Sequence, residues 1–193
     1  MFLLTRFMSY QASTISNVRV TQTAKASATA FVSLGSNQPS FAGNEQQTLL
    51  AAVPYLQAIS TEPVQLSSLY ISDPVNCEPG TEDFVNAVAK LAVPDSGSPY
   101  DLLDRLHKIE DLFGRQRGPE PNGPRPLDLD LISLGASVVA NDRLTLPHPR
   151  AAQRLFVLVP MLEFCSELEL GAFTSNISDL IRCLPSSPGL KKL

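Results

Sequence analysis

Leu127-Asp128-Leu129-Asp130-Leu131 alternates apolar and acidic residues with a period of two, and Ile132-Ser133-Leu134 continue the apolar run. In a β-strand successive side chains point to opposite faces. The stretch therefore reads as a strand whose leucines enter a core while Asp128 and Asp130 stand side by side on the other face. Like charges that close disfavour one another unless a cation sits between them, and hard oxygen ligands suit Mg²⁺. A half-exposed strand with acids on its wet face explains the same pattern without a metal, so the neighbouring segments decide.

The preceding loop runs from Arg115 to Arg125 and brings Arg115, Arg117 and Arg125 toward the edge where the aspartates begin. Guanidinium groups bind phosphate oxygens in a planar fork and keep their charge. Three of them beside a carboxylate pair suit a polyphosphate, whose transfer is mainly positioning and charge stabilisation. The chain contains neither a Walker A sequence nor a kinase glycine-rich loop. A nucleotide would have to be bound by another scheme.

Further upstream, Ser98-Pro99-Tyr100-Asp101 supplies an N-cap, a proline at the first helical position and an early acid. The spacing of Leu102, Leu103, Leu106, Ile109 and Phe113 predicts a helix that ends at Gly114. Strands are expected at Ala30 to Leu34, with Gly35-Ser36-Asn37 as the closing turn, at Val64 to Tyr70 and at Phe84 to Val93. Between the first two, a helix capped by Gly43 or Asn44 carries Leu49, Leu50, Val53, Leu56 and Ile59, with Pro54 inside it. The order strand, helix, strand, strand, helix, strand predicts an α+β fold, a ferredoxin-like βαββαβ antiparallel sheet with helices packed on it. A helix from Ala151 to about Leu162, after a Pro-His-Pro turn, would be a C-terminal helical addition. Residues 171–193 show little pattern and read as a tail.

The chain has 193 residues, 44% of them apolar, which is enough for one domain with a sizeable core but not for two. A net charge of −4 argues against a general nucleic-acid or anionic-membrane binder. The longest apolar stretch, Leu155 to Phe164, is too short to span a bilayer and contains Pro160. Cys77, Cys165 and Cys183 form no CxxC pair, which suggests neither a disulfide framework nor a zinc site and favours a reducing, cytoplasmic location. Residues 1–28 carry Arg6, Arg19 and Lys25 but no acid, the first carboxylate being Glu45. They are expected to be a disordered extension or a transit peptide, the latter implying a mitochondrial or plastid destination.

Several motifs recur in one order and spacing: Ser33-Leu34-Gly35-Ser36-Asn37, Ser67-Ser68-Leu69-Tyr70, Phe84-Val85-Asn86-Ala87, Ile109-Glu110 with Gly114-Arg115, Gly123-Pro124-Arg125-Pro126-Leu127-Asp128-Leu129-Asp130, and Leu146-Pro147-His148-Pro149 with Arg154 and Phe156. Over about residues 29–170 the chain resembles the 6-hydroxymethyl-7,8-dihydropterin pyrophosphokinase family of folate biosynthesis. The resemblance implies transfer of the β,γ-diphosphate of ATP to the pterin hydroxymethyl group, leaving AMP. It implies two Mg²⁺ ions on Asp128 and Asp130, with Arg115 and Arg125 acting in catalysis. The ATP site implied is Glu110, Arg115, Arg117, Arg125, Leu131, Thr145, His148 and Arg154. The pterin slot implied is Phe84, Asn86, Phe156 and Val75, two rings that stack on the heterocycle and an amide that reads its edge.

The chain departs from the family pattern at Asn122, where an aromatic residue is common, at Asn76-Cys77-Glu78, and at His107, where a glutamine is common. The partners implied are ATP and the reduced pterin, with functional association with other folate enzymes, no nucleic acid, no membrane and a monomeric state. Two other readings compete. An RNA-recognition-like module shares the element order, but Asp128 and Asp130 would repel RNA where such domains stack bases. A catalytically inactive relative would keep the pterin slot and lose ATP and Mg²⁺.

Overall fold

A computed structural model of the chain describes residues 27–116, 123–164, 167–170, 173–184 and 189–193. The extension expected over residues 1–28 thus lies almost wholly outside the described residues. The first strand, β1 (Ser27–Ser36), is longer than its apolar run suggests and absorbs Gly35 and Ser36, which the sequence marks as a turn. Helix α1 (Glu45–Gln57) starts with a capping box: Gln47 N–H donates to Asn44 Oδ1 at 3.0 Å, and Asn44 N–H to Gln47 Oε1 at 2.9 Å. Gly43, at φ +118°, precedes it because a Cβ there would run into the Gln47 side chain. The helix buries Thr48, Leu49, Ala52 and Leu56, while Leu50 faces solvent.

The single strand expected from Val64 to Tyr70 is two short ones, β2 (Gln65–Leu66) and β3 (Tyr70–Ser72). Ser67 causes the break. Its N–H donates to Val88 O at 2.9 Å, but Val88 N–H donates to the Ser67 hydroxyl at 3.0 Å, a side chain standing in for a backbone rung. Next come β4 (Phe84–Pro94) and helix α2 (Pro99–Leu112), capped by Ser98, whose hydroxyl accepts the Tyr100 N–H. At its end Gly114 adopts φ +87° and Arg115 N–H returns to Glu110 O at 3.0 Å, which turns the arginine back toward the helix.

Strand β5 (Asp128–Leu134) is followed by the hairpin β6 (Val139–Ala140) and β7 (Thr145–Leu146). The helix expected from Ala151 to Leu162 is divided at Arg154, whose extended backbone separates a 3₁₀ turn, Ala151–Gln153, from α3 (Leu155–Met161). After the pair β8 (Glu167–Leu170) and β9 (Phe173–Asn176), the stretch of little pattern forms α4 (Ile177–Cys183) and the edge strand β10 (Lys191–Lys192).

The main sheet runs β10-β3-β4-β1-β5, with β2 also on β4, and every pairing is antiparallel. Helices α1 and α2 cover one face over Ala30, Val32, Leu34, Ala87, Ala89, Leu91, Leu129 and Leu131. The other face is divided. Val88 and Ile132 pack under α3 with Val157, Leu158, Met161 and Ile177, with Phe31 against them. Toward the far end of the same strands the described residues leave that face open. The buried Val88 N–H gives this arrangement a direct test: Ser67→Ala removes its acceptor and should cost about 1–3 kcal/mol of stability, read as a lower urea midpoint at unchanged slope.

Candidate active site

Strand register assembles the open half of that face. Gly35 lies opposite both Asn86 and Asp128, Ser33 opposite Asp130, and Ser72 opposite Phe84. With a period of two, Ser33 and Gly35, Phe84 and Asn86, and Asp128 and Asp130 therefore share one side of the sheet. Gly35 keeps its floor low: a Cβ there would sit 3.6 Å from Asn86 Oδ1, 3.8 Å from Asp128 Cβ and 3.9 Å from the Phe84 ring. Asn86 is buried and donates to Ser72 Oγ at 2.9 Å and to Phe84 O at 3.1 Å, which fixes the amide against the strand.

The charges are interleaved. Arg115 Nη1 lies 2.6 Å from Asp128 Oδ1 and also donates to Leu127 O at 3.2 Å. Arg125 Nε lies 3.0 Å from Asp128 Oδ2, an ion pair whose N–H is misdirected, so this buried nitrogen has no hydrogen-bond acceptor among the described residues. The Arg125 guanidinium also lies over the Phe84 ring at 5.2 Å. Arg154 reaches Asp130 at 3.4 Å and sits over the Phe156 ring at 5.4 Å. The counter-charge that the carboxylate pair demands is thus supplied by guanidinium groups. Burial lowers the Arg154 pKa from its usual value, with Asp130 opposing the shift.

Two further residues set these positions. Glu110, buried on α2, accepts the Leu129 N–H at 2.9 Å and lies 3.7 Å from Arg115, so one carboxylate ties the helix, the strand and the first arginine together. Asn37 exchanges hydrogen bonds with Arg125, its Oδ1 accepting the Arg125 N–H at 2.8 Å and its N–H donating to Arg125 O at 3.2 Å. His148 N–H donates to Ile132 O, and Arg150 N–H donates to His148 Nδ1 at 3.2 Å. Burial lowers the His148 pKa, with Asp130 opposing and Arg154 and Arg150 assisting; because Nδ1 accepts the Arg150 N–H, the proton of the neutral ring sits on Nε2.

Two hollows open on this cluster. The first is lined by Gly35, Ser72, Asp73, Val75, Cys77, Phe84, Asn86, Phe156, Arg125 and Arg154. The second lies between α2 and the β6–β7 hairpin and is lined by Leu103, His107, Glu110, Leu131, Asn141, Arg143, Thr145 and His148. Both are walled by Asp128 and Asp130. The structure therefore brings Phe84, Asn86, Phe156 and Val75 into one hollow and Glu110, Arg115, Leu131, Thr145 and His148 into the other, with Arg125 and Arg154 in the first. Arg117 and Asn122 lie outside the described residues. Asn37, Ser72 and Asp73 escape sequence reasoning as individual site residues; Asn37 and Ser72 act through main chain or through another side chain, which leaves no pattern to read.

Comparison with known proteins fits this geometry. The family model described as 7,8-dihydro-6-hydroxymethylpterin-pyrophosphokinase (HPPK) matches residues 31–166. A Haemophilus influenzae protein named 2-amino-4-hydroxy-6-hydroxymethyldihydropteridine pyrophosphokinase is 40% identical over 143 residues, covering 74% of this chain and 84% of that protein. The Bacillus subtilis protein of the same name is 35% identical over 148 residues, 76% of this chain and 84% of that one. Among solved structures, the wild-type Plasmodium falciparum HPPK-DHPS chain aligns with a TM-score of 0.60 at 12% identity over 81% of this chain, which spans 44% of that chain.

Glu110 separates a positioning role from a charge role. Glu110→Ala removes the acceptor of a buried N–H and should destabilise the fold by about 1–3 kcal/mol, whereas Glu110→Gln keeps an acceptor and should lose less. Thermal denaturation of both variants checks the order.

Proposed function

The chain belongs to the 7,8-dihydro-6-hydroxymethylpterin-pyrophosphokinase family, and from that premise we propose how its own residues carry diphosphate from ATP to the pterin. The enzyme is an ATP-dependent diphosphotransferase of folate synthesis. The pterin hydroxymethyl oxygen bonds to the β-phosphorus of ATP, the bond from that phosphorus to the α-phosphate bridging oxygen breaks, AMP leaves and the hydroxyl proton is released. The observation that carries the assignment of sites is the shared wall: two hollows meet at Asp128 and Asp130, where a donor and an acceptor would have to face one another.

The first hollow takes the pterin. Phe84 and Phe156 offer ring faces, Asn86 an amide and Val75 an apolar wall, the mix a flat heterocycle with a polar edge requires. The second takes the nucleotide, with Leu131 and Thr145 beside the base and ribose and His148 offering an Nε2–H to the phosphates. Arg115, Arg117, Arg125 and Arg154 hold phosphate oxygens. Arg125 supports this reading, because its Nε–H meets Asp128 only as an ion pair at 3.0 Å and not as an aligned hydrogen bond, which leaves that donor available to a phosphate oxygen.

Asp128 and Asp130 would hold Mg²⁺. Among the described residues no group of three or more His, Cys, Asp or Glu is arranged as a metal site. Two carboxylates nevertheless fit this ion, which keeps waters and takes phosphate oxygens rather than a full protein cage. When bound it would neutralise charge on the phosphate chain. Arg115 and Arg125 release Asp128 for the phosphates as the nucleotide enters, and their charge counts most where negative charge is redistributed. As to the fold, the strand order β5-β1-β4, with β2 and β3 on β4, supports a ferredoxin-like βαββαβ reading, in which α3 and α4 would be a helical addition. A relative from Arabidopsis thaliana named folate synthesis bifunctional protein, 34% identical over 136 residues, supports a functional association with other folate enzymes.

Incubation with ATP, Mg²⁺ and the reduced hydroxymethyl pterin should yield AMP and the pterin diphosphate; ADP and phosphate would contradict the reading. Asp128→Ala or Asp130→Ala should reduce turnover at least about 10²-fold. Thermal stability should not rise, because each carboxylate already neutralises arginine. Phe156→Ala and Gly35→Ala should each raise the KM for the pterin and leave that for ATP unchanged, which steady-state kinetics resolve.

A further inference from the structure

The wall of the first hollow between Ser72 and Cys77 hangs from β3, a strand of only three residues. On one side β3 pairs with β4; on the other its only partner among the described residues is β10. Lys191 lies opposite Ile71 and Lys192 opposite Tyr70, and Leu193 N–H donates to Leu69 O at 2.9 Å. Lys192 Nζ is 3.7 Å from Glu163, the carboxylate that accepts the Tyr70 hydroxyl at 2.7 Å and the Ser68 N–H at 2.9 Å. Glu163 follows α3, the helix that carries Phe156, so this knot joins the tail, β3 and the far wall of the hollow. Just before β10, Gly189 is pressed against Asp73: a Cβ on the glycine would overlap the Asp73 carboxylate. Asp73 in turn lines the hollow, next to Ser72, whose hydroxyl accepts from Asn86.

We propose that the last five residues, Gly189 to Leu193, are a positioning element for the pterin site: they pin β3 on its open edge and seat Asp73, and so set the wall that runs to Val75 and Cys77. This rests on the assignment of the first hollow to the pterin. The second hollow is lined by none of these residues, so the tail acts on one substrate and not on the other.

Two variants test the proposal. Gly189→Ala in the full chain adds a methyl where the Asp73 carboxylate lies. It should raise the KM for the pterin about tenfold while kcat and the KM for ATP stay within about twofold, and the same substitution in an Asp73→Ala background should have little effect. A chain ending at residue 188 should show the same split. In the absence of any ligand its amides from Ile71 to Cys77 should exchange with deuterium at least about tenfold faster than in the full chain. Unchanged pterin KM in Gly189→Ala, equal rises in both KM values, or an undiminished penalty beside Asp73→Ala would overturn the proposal. So would unchanged exchange in the shortened chain. Failure of the full chain to make AMP from ATP and the pterin would overturn the pterin assignment instead, and the exchange result would stand apart from it.

Discussion

The Asp128 carboxylate, with Arg115 at 2.6 Å and Arg125 at 3.0 Å, is the contact on which the site geometry depends. Arg115 follows α2 and Arg125 precedes β5, so a single acid at the head of β5 ties both to the sheet. Other groups prepare it: Glu110 holds Arg115 and the Leu129 N–H from the helix side, and Asn37 holds the Arg125 backbone from β1. The side chains of Asp128, Arg115 and Arg125 are 16–20% exposed. At that depth the desolvation of charges offsets much of their attraction. The pairing therefore contributes position more than net stability.

Strand alternation decides what that position is good for. On one face β1, β4 and β5 present a continuous apolar surface to α1 and α2. On the other, the same strands present Phe31, Val88 and Ile132 at one end and Gly35, Asn86 and Asp128 at the opposite end. Helix α3 covers the apolar end and stops where the polar one begins. A slip of one residue in β5 would send the aspartates into the core and the leucines into the site. The core thus enforces the register that the chemistry needs, and the 3₁₀ turn that breaks the helix at Arg154 lets that residue reach Asp130.

Much of this is legible in the chain because it is written in period and capping chemistry. The β5 alternation, the Ser98-Pro99 helix start and the Gly114 stop are local signals, and each fixes the direction of a site residue. What escapes is non-local. Ser67 breaks a strand because its hydroxyl replaces a rung on β4, which no residue near Ser67 announces. Gly35 reads as a turn residue because its absent side chain matters only beside Asn86 and Asp128 across two neighbouring strands. Lys191 and Lys192 fall in the stretch that reads as a tail of little pattern, yet they extend the sheet through backbone pairing, which is indifferent to side-chain type.

The resting site is balanced by its own groups, with Arg115 and Arg125 on Asp128 and Arg154 on Asp130. A guanidinium cannot serve a carboxylate and a phosphate in full at once, since its donors lie in one planar fork. A nucleotide that recruits these arginines therefore strips the aspartates of their partners and brings further negative charge beside them. Two bare carboxylates facing a polyphosphate repel it and each other, so the exchange is favourable only if a cation replaces the guanidinium groups on the aspartates. On the proposed reading, nucleotide and divalent cation would enter as one charge-matched unit, and a phosphate chain arriving without the cation would meet a site that holds its arginines back. The same exchange would free Arg125 from its pairing at the edge of the first hollow, beside Phe84, so that filling the nucleotide site would rearrange a wall of the other. A coupling between the two substrates would need no path through the core, because Asp128 and Asp130, on which these arginines rest, wall both hollows.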